Sequence, residues 1–528
     1  MKKRFIKLLG MMTVTAMVMA GSASISYAAA QDNSVIVTMP VSSEPAAGFD
    51  PVYGWGAGEH VHEPLIQSTL VYTNTDLEIE KDLATEYTCS EDGLVWTVKI
   101  RDDVKFTDGE QLTAEDVAFT YNLCRDSNSV NDFTMLKEAV AVDAYTVEFH
   151  MNKAYSIWPY TMATVGIVPE HAYDETYGYQ PIGSGRYIMK QWNQGQQVIF
   201  EANPDYYGET PKIDKLTVLF MEEDASLAAA MSGQVDVAYT SATYSEMELG
   251  GYSLMSADTV DNRGISLPAI EQTEIDGLMY GNTLTSDVKV RQAINLAIDR
   301  ETLIEHVLNG YGTVAYSVCD GMPWYNEASE VSYDLEAAKK LMDEAGWLEG
   351  ENGIREKDGE TAAFHLLFSS SDSLRQAIAA DVANQLLELG IEVTTEGVGW
   401  DTAYDRAQSE PLVWGWGAHT PMEFYNIYHT DEKTGLATYS PYANETVDGY
   451  MDQALQCADL EESYEYWKLA QWDGTTGVTG EGDIPWIWLC NVQHLYYVRD
   501  GLNVAEQKIH PHGHGWSLVN NIDQWEWE

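Results

Sequence analysis

Twelve histidines occur in the 528 residues, and five of them fall in two tight groups. His60 and His62 are separated by one residue, and His510-Pro511-His512-Gly513-His514 alternates histidine with turn residues. Neutral imidazoles suit Ni2+, Cu2+ or Zn2+, so His60, His62, His512 and His514, with His419 from elsewhere, are the candidate metal-contacting set. The bland alternative for each is a histidine on a solvated loop. A second concentration is Leu412-Val413-Trp414-Gly415-Trp416-Gly417-Ala418-His419-Thr420-Pro421-Met422-Glu423-Phe424. In a strand over 412–416, Trp414 and Trp416 share one face, and glycine on either side of Trp416 leaves room for close approach. Trp416, Gly417, His419 and Trp414 are therefore candidate ligand contacts, with Glu423 as the nearby carboxylate. Tyr404 and Trp55, like Trp400 and Trp516, are candidate aromatic walls, although core packing competes for any single ring. Arg186 suits a ligand carboxylate or a salt bridge.

Catalytic signatures are missing. No His-Glu-x-x-His, Gly-x-Ser-x-Gly or Gly-x-x-x-x-Gly-Lys-Ser/Thr occurs, and His62-Glu63 lacks its second histidine. With 83 Asp and Glu, pairs of carboxylates of the kind a glycosidase uses arise by chance and carry no information. Cys89, Cys124, Cys319, Cys457 and Cys490 are an odd number with no two-residue spacing, which removes zinc-ribbon and thioredoxin-like readings. Buried free thiols are expected in preference to Cys89–Cys124 or Cys457–Cys490 bridges.

The 83 acids face 29 Lys and Arg, for a net charge of −54. Such a surface repels phosphate backbones and anionic lipid, which argues against nucleic-acid partners and peripheral membrane attachment. Apolar residues make up 45%, a globular composition long enough for several domains. Residues 1–30 read Lys2, Lys3, Arg4 and Lys7, an apolar run from Leu8 to Ala20, then small residues to Ala30. That order is a secretory signal peptide, with the mature start near Ala29 or Gln31. No cysteine precedes Cys89, so a lipid-attachment cysteine is not expected.

Strand and helix periodicities alternate along the rest. Leu94–Ile100, Tyr145–Phe149, 197–201, 215–220, 412–416 and 484–489 read as strands. Thr113 with Asp116 is a capping box opening a helix through Val117 and Tyr121. Residues 226–232 make a short helix, 288–308 a long one, and Leu374, Ile378, Val382, Leu386 and Leu389 keep one helical face. The mixture is α/β without internal repeats.

These elements carry a family resemblance. Phe49-Asp50-Pro51, Glu63-Pro64-Leu65, Asp92-Gly93-Leu94-Val95-Trp96-Thr97-Val98-Lys99-Ile100-Arg101, Val104-Lys105-Phe106-Thr107-Asp108-Gly109 and Leu112-Thr113-Ala114-Glu115-Asp116-Val117 follow one another in family order. Pro181-Ile182-Gly183-Ser184-Gly185-Arg186-Tyr187, Asn203-Pro204-Asp205-Tyr206-Tyr207, Ser232-Gly233-Gln234-Val235-Asp236 and the Val290-Arg291-Gln292-Ala293 to Asp299-Arg300 helix continue the series. The chain resembles extracytoplasmic solute-binding proteins of the peptide/nickel class, family 5, the capture subunits of ABC importers. The resemblance implies a two-lobed periplasmic-binding-protein fold with a hinge. A discontinuous first lobe would take 31–80, 181–268 and 497–528, an inserted smaller domain 81–180, and a second lobe 269–496. It also implies an ABC permease and ATPase subunits as partners, a monomer, no catalysis and no required cofactor. Bound Ni2+ or a metal chelate would be cargo. In peptide-binding relatives a Trp in the 412–416 strand is followed closely by an Asp that accepts the peptide's ammonium. Ala418 and His419 stand there instead, and Trp416-Gly417-Ala418 is similar to the Trp-Gly-Ala segment of nickel-binding relatives. Arg186 replaces the family's usual Pro.

The expectation is a non-catalytic protein that captures an oligopeptide or a nickel or metal-chelate solute between two lobes. The competing readings are a secreted carbohydrate-active enzyme and a sugar-binding protein.

Overall fold

Alternating apolar residues assemble three sheets of four or more strands in the computed structural model, which describes residues 33–56, 62–127, 132–513 and 515–528. The signal-peptide reading of 1–30 lies outside these residues. In Lys215–Phe220, Leu216, Val218 and Phe220 are buried while the residues between them are more exposed, the period-two pattern of a half-buried strand. It pairs in parallel with Ser34–Met39. These two lie within a seven-stranded sheet ordered Tyr252–Ala257, His494–Arg499, Val237–Thr240, Ser34–Met39, Lys215–Phe220, Gln197–Ala202, Tyr187–Asn193. Its core holds Val35, Val37, Leu216 and Val218 with Phe49, Trp55 and Trp516.

A six-stranded sheet runs Gly312–Val314, Trp486–Val492, Asn262–Ser266, Leu412–Trp416, Ala363–Ser369, Glu392–Val398. Trp486–Val492 is buried at every residue, as a strand covered on both faces must be. The helices Val288–Ala297, Leu335–Glu344 and Ser373–Leu389 help cover one face. The third sheet is the antiparallel set Ala84–Cys89, Val95–Ile100, Thr146–Met151, Leu136–Asp143, against which Ala114–Asp126 packs. The Thr113–Asp116 capping box is formed. This region does not stand alone. Tyr160 packs on Trp324 at 5.5 Å, its hydroxyl meets that of Tyr464 at 2.6 Å, and Ser156 Oγ donates to the Ala454 carbonyl at 2.8 Å.

One sequence expectation changes in detail. The periodic stretch 288–308 is two helices, Val288–Ala297 and Arg300–Leu308, because Ile298 is extended and Asp299 caps the second by accepting from the Thr302 N–H. Arg300 follows as the first residue of the second helix. It is buried and donates to the carbonyls of Ala315 and Trp488 at 3.2 and 2.8 Å. Gly183 and Gly185 are glycines because side chains there would strike the backbone of Leu65 and Ile66. All five cysteines are free thiols.

Sheet membership locates the crossings. Asn262–Ser266 lies in the six-stranded sheet and His494–Arg499 in the seven-stranded one. The chain passes between sheets at 258–261 and at 493, several residues earlier than the 268 and 496 boundaries implied by resemblance.

Candidate functional site

Leu412–Trp416 is buried over its first three residues and surfaces at its end, where Gly417 takes φ +148°. A side chain at Gly417 would collide with the Val260 carbonyl, so the position needs glycine for its torsion and for its space. The strand end is gripped by the start of the neighbouring strand. Asn262 Oδ1 accepts the Trp416 N–H at 3.1 Å. The Arg263 guanidinium lies against Gly415, where an added Cβ would come within 2.9 Å of its Nη1. Asp261 accepts from His512 Nδ1, and the His512 backbone N–H donates to the Gly417 carbonyl at 2.6 Å. Past the turn, the two Glu423 oxygens accept the N–H groups of Gly417 and Ala418 at 2.8 and 3.0 Å. Burial pushes the Glu423 carboxyl up to about 7, against the pull of those two amides.

Trp414 is 2% exposed, donates its indole N–H to Ser266 Oγ at 2.9 Å and is surrounded by Trp400, Tyr404, Tyr439 and Trp486 at 5.4–5.8 Å. It is a core ring. Trp416 stacks on it at 6.0 Å and meets Tyr439 at 4.7 Å while keeping partial exposure. Trp400 and Tyr404 are 36% and 49% exposed, and the Arg375 guanidinium lies over Trp400 at 5.5 Å.

His419 Nε2 is buried without a partner. Burial, with Lys508 nearby, pulls its pKa down to about 3, opposed by the Ile509 backbone, so the imidazole is neutral. Lys508 itself donates to the Glu63 carboxylate and to the Thr73 carbonyl and hydroxyl at 3.1 and 2.9 Å. The remaining expected contacts are engaged elsewhere. His62 is buried, donates from Nδ1 to the Glu63 carbonyl at 2.8 Å and packs edge-on to Trp55 at 4.2 Å. Trp55 is 2% exposed in the core with Phe49 and Trp516. Arg186 pairs with Asp523 at 2.5 Å, both largely buried. His60 and His514 lie outside the described residues. Among the described residues, no three or more His, Cys, Asp or Glu side chains are grouped to hold a metal ion.

Residues 78–438 match the family described as bacterial extracellular solute-binding proteins, family 5 Middle. This chain belongs to that family. The solute-binding protein is 31% identical over 451 residues to the oligopeptide-binding protein AppA of Bacillus subtilis (strain 168), covering 80% of this chain and 81% of the relative. It is 30% identical over 487 residues to protein XP55 of Streptomyces lividans, covering 88% and 85%. Among solved structures it is similar to AppA from Bacillus subtilis in complex with a nonapeptide, with TM-score 0.69 and 25% identity over 94% of this chain and 99% of that one. NikZ from Campylobacter jejuni in complex with Ni(L-His) superposes with TM-score 0.72 and 21% identity over 94% and 99%, a likeness of fold. The fold is the two-lobed one of solute-binding proteins, and the chain is not an enzyme.

Sequence reading of this solute-binding protein missed Asp261, Asn262, Arg263, Arg375 and Lys508. Burial alone would raise the Asp261 pKa, but Arg263, His512 and His494 hold it well below the usual carboxylate range. The available signal was the polar run Asp261-Asn262-Arg263 just ahead of the apolar Ile265 and Leu267, a cost to burial that demands partners.

Proposed function

We propose that this protein is the extracytoplasmic capture component of an ABC importer and that its cargo is an oligopeptide held at the end of the Leu412–Trp416 strand, between the lobes. The observation that carries this reading is the pair of buried, unpartnered nitrogens, Trp416 Nε1 and His419 Nε2, beside backbone immobilised by Asn262, His512 and Glu423. Orphaned buried groups cost about 1–3 kcal/mol each, and a bound solute removes that cost. The 31% identical relative is an oligopeptide-binding protein, which points to the same cargo. Ligand contacts in this reading are Trp416, Gly417 and His419, with Tyr404 at the margin, while Trp414 and Glu423 position them. Export depends on residues 1–30, and the monomeric mature chain hands its cargo to a permease driven by ATPase subunits. Closure about the crossings at 258–261 and 493 encloses the solute.

A nickel or metal-chelate cargo is the second reading, favoured by the neutral His419 imidazole with its free Nε2. A thermal-shift assay on chelator-treated mature protein separates the two. Saturation at ~100 times the dissociation constant stabilises by about 2.7 kcal/mol. A shift with a mixed short-peptide pool supports the first reading. A shift only with Ni2+ or Ni2+ with free histidine replaces it with the second.

A further inference from the structure

The two crossings, at 258–261 and at 493, are tied together by a third segment near the carboxyl end. Thr259 and His510 form a parallel bridge. The Val260 N–H donates to the His510 carbonyl and the His510 N–H to the Asp258 carbonyl, each at 2.8 Å. Side chains complete the tie. His494 Nε2 meets Asp261 Oδ2 at 3.3 Å, and His494 Nδ1 meets His510 Nδ1 at 3.3 Å. His510 Nε2 then meets Gln507 Oε1 at 3.1 Å. Asp261, His494 and His510 are at most 1% exposed.

Both ends of this chain of contacts accept. Asp261, a carboxylate, takes donors from Arg263 and His512 as well. At the far end the Trp525 indole N–H can only donate, and it meets Asn521 Oδ1 at 2.9 Å. Gln507 Nε2 donates to that same oxygen and to the Ala505 carbonyl, both at 2.9 Å. The Gln507 amide is thereby oriented with its oxygen toward His510. His494 Nε2 and His510 Nε2 must therefore both carry hydrogen, and the contact between the Nδ1 atoms needs a third. Two neutral imidazoles supply only two. With two, lone pairs would face each other in a buried site, at the cost of an unmade hydrogen bond.

The surrounding charges agree with three. Asp258, Asp261 and Arg263 on the first crossing leave one negative charge over, which an extra proton balances. On the carboxyl-terminal segment Lys508 is paired with Glu63 and His512 with Asp261. Burial keeps the Tyr496 hydroxyl, on the ring 6.3 Å from His510, un-ionised. Burial, with His512 and Arg263 nearby, also disfavours a charge on His494, against the pull of Asp261. The extra proton then belongs on His510.

We propose that the hinge binds one proton, held on the His494–His510 pair between Asp261 and Gln507, and that its loss loosens the two crossings. The site is a pH-sensitive latch on lobe movement. The latch, unlike the proton, rests on the closure about these crossings proposed above.

The proton is read on mature protein labelled with 15N-histidine, by long-range 1H–15N spectra across the neutral range, with His510→Gln and His494→Gln assigning the signals. His510 is expected to remain an imidazolium about one pH unit above the ordinary histidine value of about 6.5, with His494 protonated at Nε2 alone. Gln507→Met removes the acceptor at similar volume, and His510 should then be neutral at that pH. A neutral His510 in the native protein overturns the proton. An imidazolium that persists unchanged in Gln507→Met overturns the chain that holds it. Urea unfolding should separate the two proteins most below about pH 6.5 and converge as pH rises, since a proton held more tightly in the folded state stabilises below the unfolded value. The latch is read by small-angle scattering without cargo, below and above the His510 titration. The native radius of gyration should change between the two, and that of Gln507→Met should not. Glu423 and Asp320, raised to about 7, titrate in both proteins and cancel in the comparison. A native radius that stays constant, or changes equally in both proteins, overturns the latch and leaves the capture function standing.

Discussion

Two aromatic clusters, one at each large sheet, use the same residue types to different ends. Around Phe49, Trp55, Phe200 and Trp516 the rings meet edge to face at 4.6–6.0 Å, and the Trp516 indole N–H donates to the Ser43 carbonyl at 2.7 Å. Every one of these rings is nearly or fully buried. Around Trp414 the neighbours Trp400 and Trp416 lie at shallow angles of 33° and 27°, and exposure climbs from 2% at Trp414 to 49% at Tyr404. The first cluster closes on itself and serves packing. The second runs from core to surface and ends on a turn with orphaned nitrogens. Whether an aromatic array can meet a ligand is thus set by where it ends, not by how many rings it holds.

Substitutions can break or sharpen that contrast. Trp516→Ala should have the largest effect on stability, about 3–5 kcal/mol for a buried Trp, seen as a large fall in melting temperature with unchanged affinity in the fraction that stays folded. Loss of binding at an unchanged melting temperature would make the closed cluster a ligand wall and erase the distinction. Gly417→Val comes next. Its left-handed torsion and the Val260 carbonyl oppose any side chain, so about 1–3 kcal/mol of strain should accompany loss of measurable binding in calorimetry. Trp416→Ala should reduce affinity about tenfold or more and lower the melting temperature much less than Trp516→Ala. Equal loss of both would make Trp416 a core residue.

A pH experiment addresses the support of the turn. The Glu423 carboxyl titrates near 7 in the folded protein against an ordinary value of 4.5. A raised folded value means that its contribution is fully present below pH 4.5 and is lost as pH rises through 7. Urea unfolding of the native protein and Glu423→Gln across this window should give curves that converge as pH rises. Asp320 and Asp82, raised to about 7 and about 6, titrate in both proteins and cancel in the difference. Curves that stay parallel would mean that Glu423 is ionised throughout. The smallest effect is expected for Tyr404→Ala, within about 0.5 kcal/mol of native stability for an exposed site, checked by the same unfolding curves.

Much of the fold was legible because local signals agree with it. Thr113 and Asp116 formed the capping box, 215–220 and 412–416 are strands at the residues read, and the Leu374–Leu389 face is buried against the second sheet. The 288–308 helix misled because its apolar period continues across Ile298, while the break comes from the Asp299 cap. The site was half legible. Trp416, Gly417 and His419 stood out by type and spacing, yet Trp55, His62 and Arg186 looked equally eligible until their partners appeared.

Composition, order of residues and local pattern by themselves determined the α/β class, the family, the strand that carries Trp416 and the lack of an Asp at position 419. Only the tertiary structure decided which polar groups remain free. Glu423 became a brace for two amides and Asp261 the anchor of Arg263 and His512, partners up to 251 residues away in sequence. The physical reason is that a hydrogen-bonding group is available to a ligand only if no nearer partner in space satisfies it, and nearness in space is a property of the packed chain.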